Sequence, residues 1–241
     1  MTALPRDYDS DPERFLSDAR KPHDDVHPYA AARFAAAGAR QVLDVGGGDG
    51  RLARLLPALS IRCLLIDISP AMLALAPRPA VRADGARLPV ADGCADAVAA
   101  LYTLYHYDDP VAPVAEARRV LRPGGLFAAC APARDSAPEL TPVVPSWGAR
   151  STFDAEEAPA IVGSVFGAPG DRVETDRWDG PLRTLSTADE AASILRCYGM
   201  DHAAARGAAA GLPLPLTLTM RGCVVYATKG KLTDQPQSRS S

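Results

Sequence analysis

The stretch VLDVGGGDGRLARLL, residues 42–56, limits the folds open to this chain more than any other. Apolar residues broken only by Asp44 read as a short buried strand, and the leucines after Gly50 recur at helical spacing. Of the five residues between them, four are glycine. Backbone that must pass close to a ligand tends to be glycine, because a Cβ would block the approach. A strand that feeds a helix through such a turn also presents N–H groups suited to polar or anionic partners. The phosphate of a dinucleotide is one such partner. The amino-acid end and ribose of S-adenosylmethionine are another.

Around this turn the chain alternates between short apolar runs and helical patterns. Residues 41–45 (QVLDV), 61–67 (IRCLLID), 80–84 (AVRAD), 96–104 (DAVAALYTL) and 126–132 (LFAACAP) read as strands. The fourth is continuously apolar, as a strand buried on both faces should be. Helices are expected over residues 49–57, from the Ser69-Pro70 start (a capping residue with proline at the first helical position) and over 110–121, before a turn at RPGG. The pattern predicts a doubly wound, Rossmann-like α/β fold with helices on both faces of a mostly parallel sheet. Residues 172–178 and the alternating 216–228 would make it seven-stranded, with an antiparallel last strand. Helices are also expected from Asp154, with Glu157 in a box-like cap, and from Thr187, with Glu190 three residues on.

The chain reads as a single domain. Residues 1–40 form a helical lid with a flexible start, broken at Lys21-Pro22 and His27-Pro28 because the residue before proline resists the helical region. Residues 41–133 form a ligand-binding core, 134–215 a variable insert after strand five, 216–228 the last strand and 229–241 a flexible tail.

Composition excludes several classes of function. Acidic residues outnumber basic ones, 29 to 26, and only three lysines occur, so no basic nucleic-acid footprint is expected. No apolar run approaches the roughly 20 residues of a membrane span, and the polar N-terminus MTALPRDYDSDPERF does not read as a signal peptide. A cytoplasmic location is expected, with a small molecule as partner and neither nucleic acid nor membrane. The five cysteines have no metal or CxxC spacing and read as buried thiols.

Asp67 ends the second strand, beside the first turn at the switch point of such a sheet, where a carboxylate can accept both hydroxyls of a ribose. Nicotinamide and S-adenosylmethionine enzymes share that device. The glycine spacing separates them. A dinucleotide fingerprint needs G-x-G-x-x-G, yet from Gly46 and Gly48 the third glycine falls on Arg51. The actual pattern is D-x-G-x-G-x-G, from Asp44 through Gly46 and Gly48 to Gly50. None of the three lysines has a tyrosine four residues before it, and no Asn-Pro-Pro-Tyr follows strand four. A third strand ending in Ala83-Asp84-Gly85 adds an acid able to accept from the adenine amino group.

With those residues in view, residues 42–133 resemble a class I S-adenosylmethionine-dependent methyltransferase of the small-molecule type, similar to ubiquinone/menaquinone-biosynthesis-like enzymes. VLDVGGGDG, LLIDISPAML, ADGARLPVADGCADAV and DDPVAPVAEARRVLRPGG follow one another in the family's order. The resemblance implies that Asp44, Gly46 and Gly48 line the methionine end of the cofactor. Asp67 holds the ribose, Ile68 packs on the adenine, Asp84 and Gly85 meet its edge, and Leu101 and Tyr102 border the sulfonium. The flanks 1–40 and 134–215 carry little of the resemblance. Where the family ends strand four with sequences similar to V-L-H-H, this chain has Thr103-Leu104-Tyr105-His106. A base at the first of those histidines therefore cannot be transferred.

His106 remains as the candidate catalytic base, since a neutral imidazole can accept a proton near pH 7; a structural histidine bonded to the next loop is the alternative. Strand alternation would send Tyr105 and Tyr107 to one side and Tyr102, Leu104 and His106 to the other. Trp147, Phe153, Phe166 and Trp178 either wall a substrate pocket or anchor the insert. His23 and His27 fall in the lid and read as surface residues. Asp108-Asp109 reads as a helix start rather than a metal site, and no metal is expected. The expected activity is transfer of a methyl group from S-adenosylmethionine to an O or N atom of a small organic molecule, in natural-product biosynthesis. The alternatives are an S-adenosylmethionine-binding protein with a non-methylating or non-catalytic role, and an NAD(P)-dependent oxidoreductase.

Overall fold

The computed structural model describes Tyr8, Asp9, Pro12 and residues 26–144, 151–197 and 200–231. Seven strands form one sheet: β1 (Gln41–Val45), β2 (Arg62–Asp67), β3 (Ala80–Arg82), β4 (Ala95–Leu101), β5 (Leu121–Pro132), β6 (Arg172–Leu185) and β7 (Leu216–Thr228). Their order is β3-β2-β1-β4-β5-β7-β6. The first five pair in parallel, and β7 runs antiparallel between β5 and β6. The sheet is the doubly wound arrangement that the alternating pattern predicts, and β7 has the boundaries read from the sequence.

Alternation along the strands divides the core. Val42, Ala97, Ala99, Leu101, Ala128 and Cys130 face α1 (Val26–Ala36), whose Ala30, Ala31 and Phe34 are buried against them. Leu43, Val45, Val98, Ala100, Phe127 and Ala129 face the other way, toward α4 (Val111–Val120) and α5 (Ala158–Val165). Between the first pairs of strands lie the short α2 (Arg51–Leu55), continued by a 3-10 turn over Leu56–Leu59, and α3 (Pro70–Leu75). The Ser69 hydroxyl accepts from the Met72 N–H, and Pro70 occupies the first helical position.

Several boundaries differ from expectation for local reasons. The helix α1 runs through His27-Pro28 rather than breaking there, because a proline in the first turn removes an N–H that has no intrahelical acceptor. The Lys21-Pro22 break and His23 lie outside the described residues. β4 stops at Leu101; Tyr102 turns to φ 55° and Leu104–His106 form a 3-10 turn, so the alternation expected over 102–107 does not apply. Leu104 accordingly packs with the α4 cluster rather than beside Tyr102. RPGG belongs to β5 as an irregular start, with Gly124 at φ 79°. Thr187 accepts from the Glu190 N–H as a cap should, whereas Asp154 accepts from the Glu157 N–H in a turn that precedes the helix, which starts at Ala158 rather than at Asp154. The expected start of the tail at 229 is tied down: the Lys229 ammonium donates to the Arg118 and Leu121 carbonyls at 2.8 and 2.6 Å. Residues 232–241 lie outside the description.

The register shows where the insert goes. The last β5–β7 pair is Pro132 with Gly222, whereas β7 and β6 continue together to Leu216 and Leu185. The β6–β7 hairpin thus projects beyond the carboxyl end of β5. On it sits a third cluster from α6 (Ala188–Cys197), α7 (His202–Ala210) and the turn Pro138–Leu140. The helix α7 was not anticipated by the sequence pattern. At the hairpin's base, a Cβ on Gly222 would lie 2.2 Å from the Trp178 ring and 2.7 Å from the Ala131 carbonyl. Gly222→Ala is expected to lower stability by about 1–3 kcal/mol, the usual scale for overpacking, measured by urea unfolding.

Candidate functional site

The residues singled out in the sequence come from the carboxyl ends of β1, β2, β3 and β4, which are neighbours in the sheet. The β1 turn is folded by its own backbone: the Gly46 N–H donates to the Ile66 carbonyl at 2.7 Å and the Gly50 N–H to the Gly47 carbonyl at 2.9 Å. Asp67 ties this turn to the next. Its Oδ2 accepts from the Gly48 N–H and its Oδ1 from the Ser69 N–H, each at 2.8 Å. Two lone pairs on each oxygen leave capacity for further donors. Burial pushes its pKa up, against the backbone bonds that lower it. Ile68, next in sequence, is 64% exposed, a large apolar side chain left open beside that carboxylate.

The glycines of the turn serve different ends. Gly48 adopts φ 56° and a Cβ there would meet nothing within 4 Å, so this position opens to free space. Gly46 also has a positive φ, but its Cβ would stand 2.1 Å from the Thr103 hydroxyl. Its smallness brings the β4 loop onto the β1 turn. Gly47, which the sequence reading did not nominate, lets the Asp44 carboxylate and Leu65 approach to 2.7 and 2.8 Å of where a Cβ would be.

Asp44 is the outstanding electrostatic feature. Its side chain is buried, and among the described residues its Oδ2 has no hydrogen-bond partner. Burial pushes its pKa up to about 6, with the field of His27 acting in the opposite sense and the carboxylates of Asp67 and Asp49 adding to the rise. His27, read from the sequence as a surface residue, is half-buried on α1, with its ring 6.2 Å from that of Tyr102. A buried carboxylate with an open acceptor calls for a cationic or strongly donating partner.

At the end of β3, the exposed Asp84 accepts from the Ala86 N–H at 2.9 Å, and the Gly85 N–H donates to the Tyr107 hydroxyl at 3.1 Å. Tyr107 is thereby a brace for the Asp84-Gly85 loop, and burial pushes its pKa up to about 12. Leu101 is buried under α1, while Tyr102 is half-buried with its amide on the Cys130 carbonyl at 3.3 Å.

His106 lies on the 3-10 turn past β4, not on the strand. Its Nε2 is 2.6 Å from the Tyr8 hydroxyl, and the Tyr105 ring centroid is 4.5 Å from its own. Asp9 reaches the same edge, accepting from the Ser69 hydroxyl at 2.5 Å and the Ala71 N–H at 3.1 Å. The start of the chain was expected to be flexible; these two residues are docked, and no local sequence signal marks them. Of the expected aromatic wall, Phe153 and Phe166 belong to the core on the α4 side, where Phe166 stacks on Phe127 at 5.7 Å. Trp178 is half-buried against the α1 side and Trp147 lies outside the described residues. Asp109 accepts from the Val111 N–H at the start of α4, the helix-start role read for Asp108-Asp109. No described helix is long and apolar enough to cross a membrane.

Residues 43–129 match the family model described as a methyltransferase domain. An uncharacterised methyltransferase of Mycobacterium tuberculosis is 35% identical over 103 residues, covering 41% of this chain and 42% of that protein. A ubiquinone/menaquinone biosynthesis C-methyltransferase of Acidiphilium cryptum is 32% identical over 146 residues, covering 52% and 59%. The chain spans about half the length of the curated relatives it matches. Among solved structures, the 4+2 cyclase SpnF superposes with a TM-score of 0.63 at 20% identity, over 93% of this chain and 94% of that one.

Burial of Asp44 has a thermodynamic consequence. Its folded-state pKa lies above the unfolded value near 4, so the fold favours the neutral acid, and that stabilisation is lost as pH rises through about 6. Asp44→Asn is therefore expected to stabilise the ligand-free protein by about 1–3 kcal/mol above pH 6, and to have little effect near pH 4. Urea unfolding at the two pH values measures the difference.

Proposed function

We propose that residues 43–129, which match the model described as a methyltransferase domain, bind S-adenosylmethionine in the class I manner, and that the protein transfers a methyl group from it to an O or N atom of a small organic molecule. The observation that carries this reading is the buried Asp44 carboxylate with its open Oδ2 against Gly47, in a turn whose next residue, Gly48, opens to free space. A cationic ammonium, as on S-adenosylmethionine, satisfies that oxygen, whereas a nicotinamide dinucleotide has no ammonium and would bring its anionic pyrophosphate to the glycine turn. The residues present fit the cofactor. Asp44 accepts from the ammonium, Gly48 lets the methionine end pass, and Gly46 holds the turn against Thr103 beside it. Asp67 accepts from the ribose hydroxyls, Ile68 covers the adenine with its exposed side chain, and Asp84 and Gly85 meet the adenine edge. Leu101 and Tyr102 border the sulfonium.

When bound, S-adenosylmethionine supplies an already electrophilic methyl group, so the protein's task is alignment and the exclusion of water. The β6–β7 hairpin and its helices project over the carboxyl edge and offer the walls for the acceptor. His106 accepts a proton where the acceptor atom carries one of high pKa. A cytoplasmic role in natural-product biosynthesis is part of the proposal: the flanks that wall the acceptor carry little of the family's pattern, as expected for a specialised substrate.

Calorimetry tests the reading. S-adenosylhomocysteine is expected to bind more tightly than NAD, and Asp67→Ala to weaken it by about 1.5–3 kcal/mol, the scale of hydrogen bonds involving a charged group. Tighter NAD binding would overturn the assignment. The cyclase among the similar structures favours one second reading, a cofactor-binding protein that does not methylate. Labelled S-adenosylmethionine left unconsumed across a panel of phenols, amines and carboxylates, despite tight S-adenosylhomocysteine binding, would select it.

A further inference from the structure

The candidate base does not stand alone at the carboxyl edge of the sheet. Its Nε2 is 2.6 Å from the hydroxyl of Tyr8, a residue 98 positions away in sequence, with the two rings edge to face at 5.3 Å. The opposing contact comes from Tyr105, whose ring centroid is 4.5 Å from the imidazole. Asp9 fixes the neighbouring backbone on the Ser69 hydroxyl and the Ala71 N–H, immediately after Asp67 and Ile68. Tyr8 is thus held by its neighbour on the same loop that carries the ribose carboxylate.

A phenol is a better proton donor than a neutral imidazole N–H, and an imidazole nitrogen a better acceptor than a phenol oxygen. The bond therefore runs from Tyr8 Oη–H to Nε2, with the ring proton on Nδ1. An imidazole so engaged cannot take a proton from an acceptor at Nε2 directly. We propose that Tyr8 is a further catalytic residue, the hydroxyl through which His106 Nε2 receives the acceptor's proton. This rests on the reading of His106 as base. As the acceptor's X–H bond breaks, its proton bonds to Tyr8 Oη, and the proton already on Oη bonds to His106 Nε2. The electron pair stays on X for the new bond to carbon. Tyr8 ends neutral, never a full phenolate, and the charge rests on the imidazolium. The relay gives the docked Tyr8 a chemical role and places the acceptor against it.

Two measurements on the full chain decide it. In ¹⁵N-histidine spectra of the protein saturated with S-adenosylhomocysteine, the His106 signals are assigned by their loss in His106→Asn. They should show Nδ1 protonated and Nε2 bare, and Tyr8→Phe should shift the ring toward the Nε2–H form while changing S-adenosylhomocysteine affinity by less than about twofold. An Nε2–H ring in the unaltered protein, or the same spectrum in Tyr8→Phe, overturns the relay whatever the activity. With any acceptor found using labelled cofactor, Tyr8→Phe should lower turnover by about 10²–10⁴-fold, as far as His106→Asn, with no further loss in the double variant. Loss in His106→Asn with turnover kept in Tyr8→Phe overturns the relay alone. Turnover kept in both variants overturns the base reading as well.

Discussion

The carboxylate of Asp67 joins two loops that arise from different strands, and the geometry of the edge depends on it. One oxygen holds the glycine turn after β1 through the Gly48 N–H, and the other holds the start of α3 through the Ser69 N–H. Hydrogen bonds to an ionised acceptor are among the stronger ones a fold can make. Without them, the open face at Gly48 and the exposed Ile68 would have no fixed relation. Asp9 adds two further bonds at the same α3 start, so it is positioned by the loop that carries Asp67.

A second constraint is steric. The turn over residues 46–50 is compressed from several sides, by Thr103 at Gly46, by Asp44 and Leu65 at Gly47, and by the Pro77 ring 2.3 Å from where a Cβ of Gly50 would be. Only at Gly48 does the missing Cβ leave open space. A glycine-rich motif is commonly read as room for a ligand, and here most of that smallness is spent on protein contacts. The compression draws β4's loop against β1, bringing the Tyr102–His106 turn beside the glycine turn and keeping Asp44 away from water. Its buried carboxylate is the cost of that closeness.

Local signals made the fold legible. Ser69-Pro70 and Thr187 with Glu190 announce helix starts because capping acts within one turn, and 216–228 announces β7 because alternation over Leu216–Met220 leads into the apolar run Cys223–Ala227. The glycine spacing with Asp44, Asp67 and Asp84 marked the edge, since strand ends in a parallel sheet converge by topology alone. What stayed hidden depends on contacts distant in sequence. Nothing near Tyr8 reveals His106, nothing near His27 reveals the buried Asp44, and Phe153 and Phe166 look alike whether they wall a pocket or fill a core. The end of β4 was misread because apolar and aromatic residues continue past Leu101, while the chain itself turns at Tyr102.

That turn explains the placing of His106. A residue with a Cβ at φ 55° is strained by about 1–2 kcal/mol, and such strain persists only where the surroundings over-determine it. The Tyr102 amide is held by Cys130 on β5, its ring packs on the α1 side, and Thr103 is pressed against Gly46. Had β4 continued extended, alternation would have carried His106 about three pleats further along the strand direction, away from Asp67 and from the Asp9 anchor. The left-handed step at Tyr102 instead folds the chain into the 3-10 turn, sets His106 within reach of Tyr8, and lets Tyr107 brace Gly85 from the other side. One strained residue thus decides where the edge carries the imidazole and where it carries the Asp84-Gly85 loop.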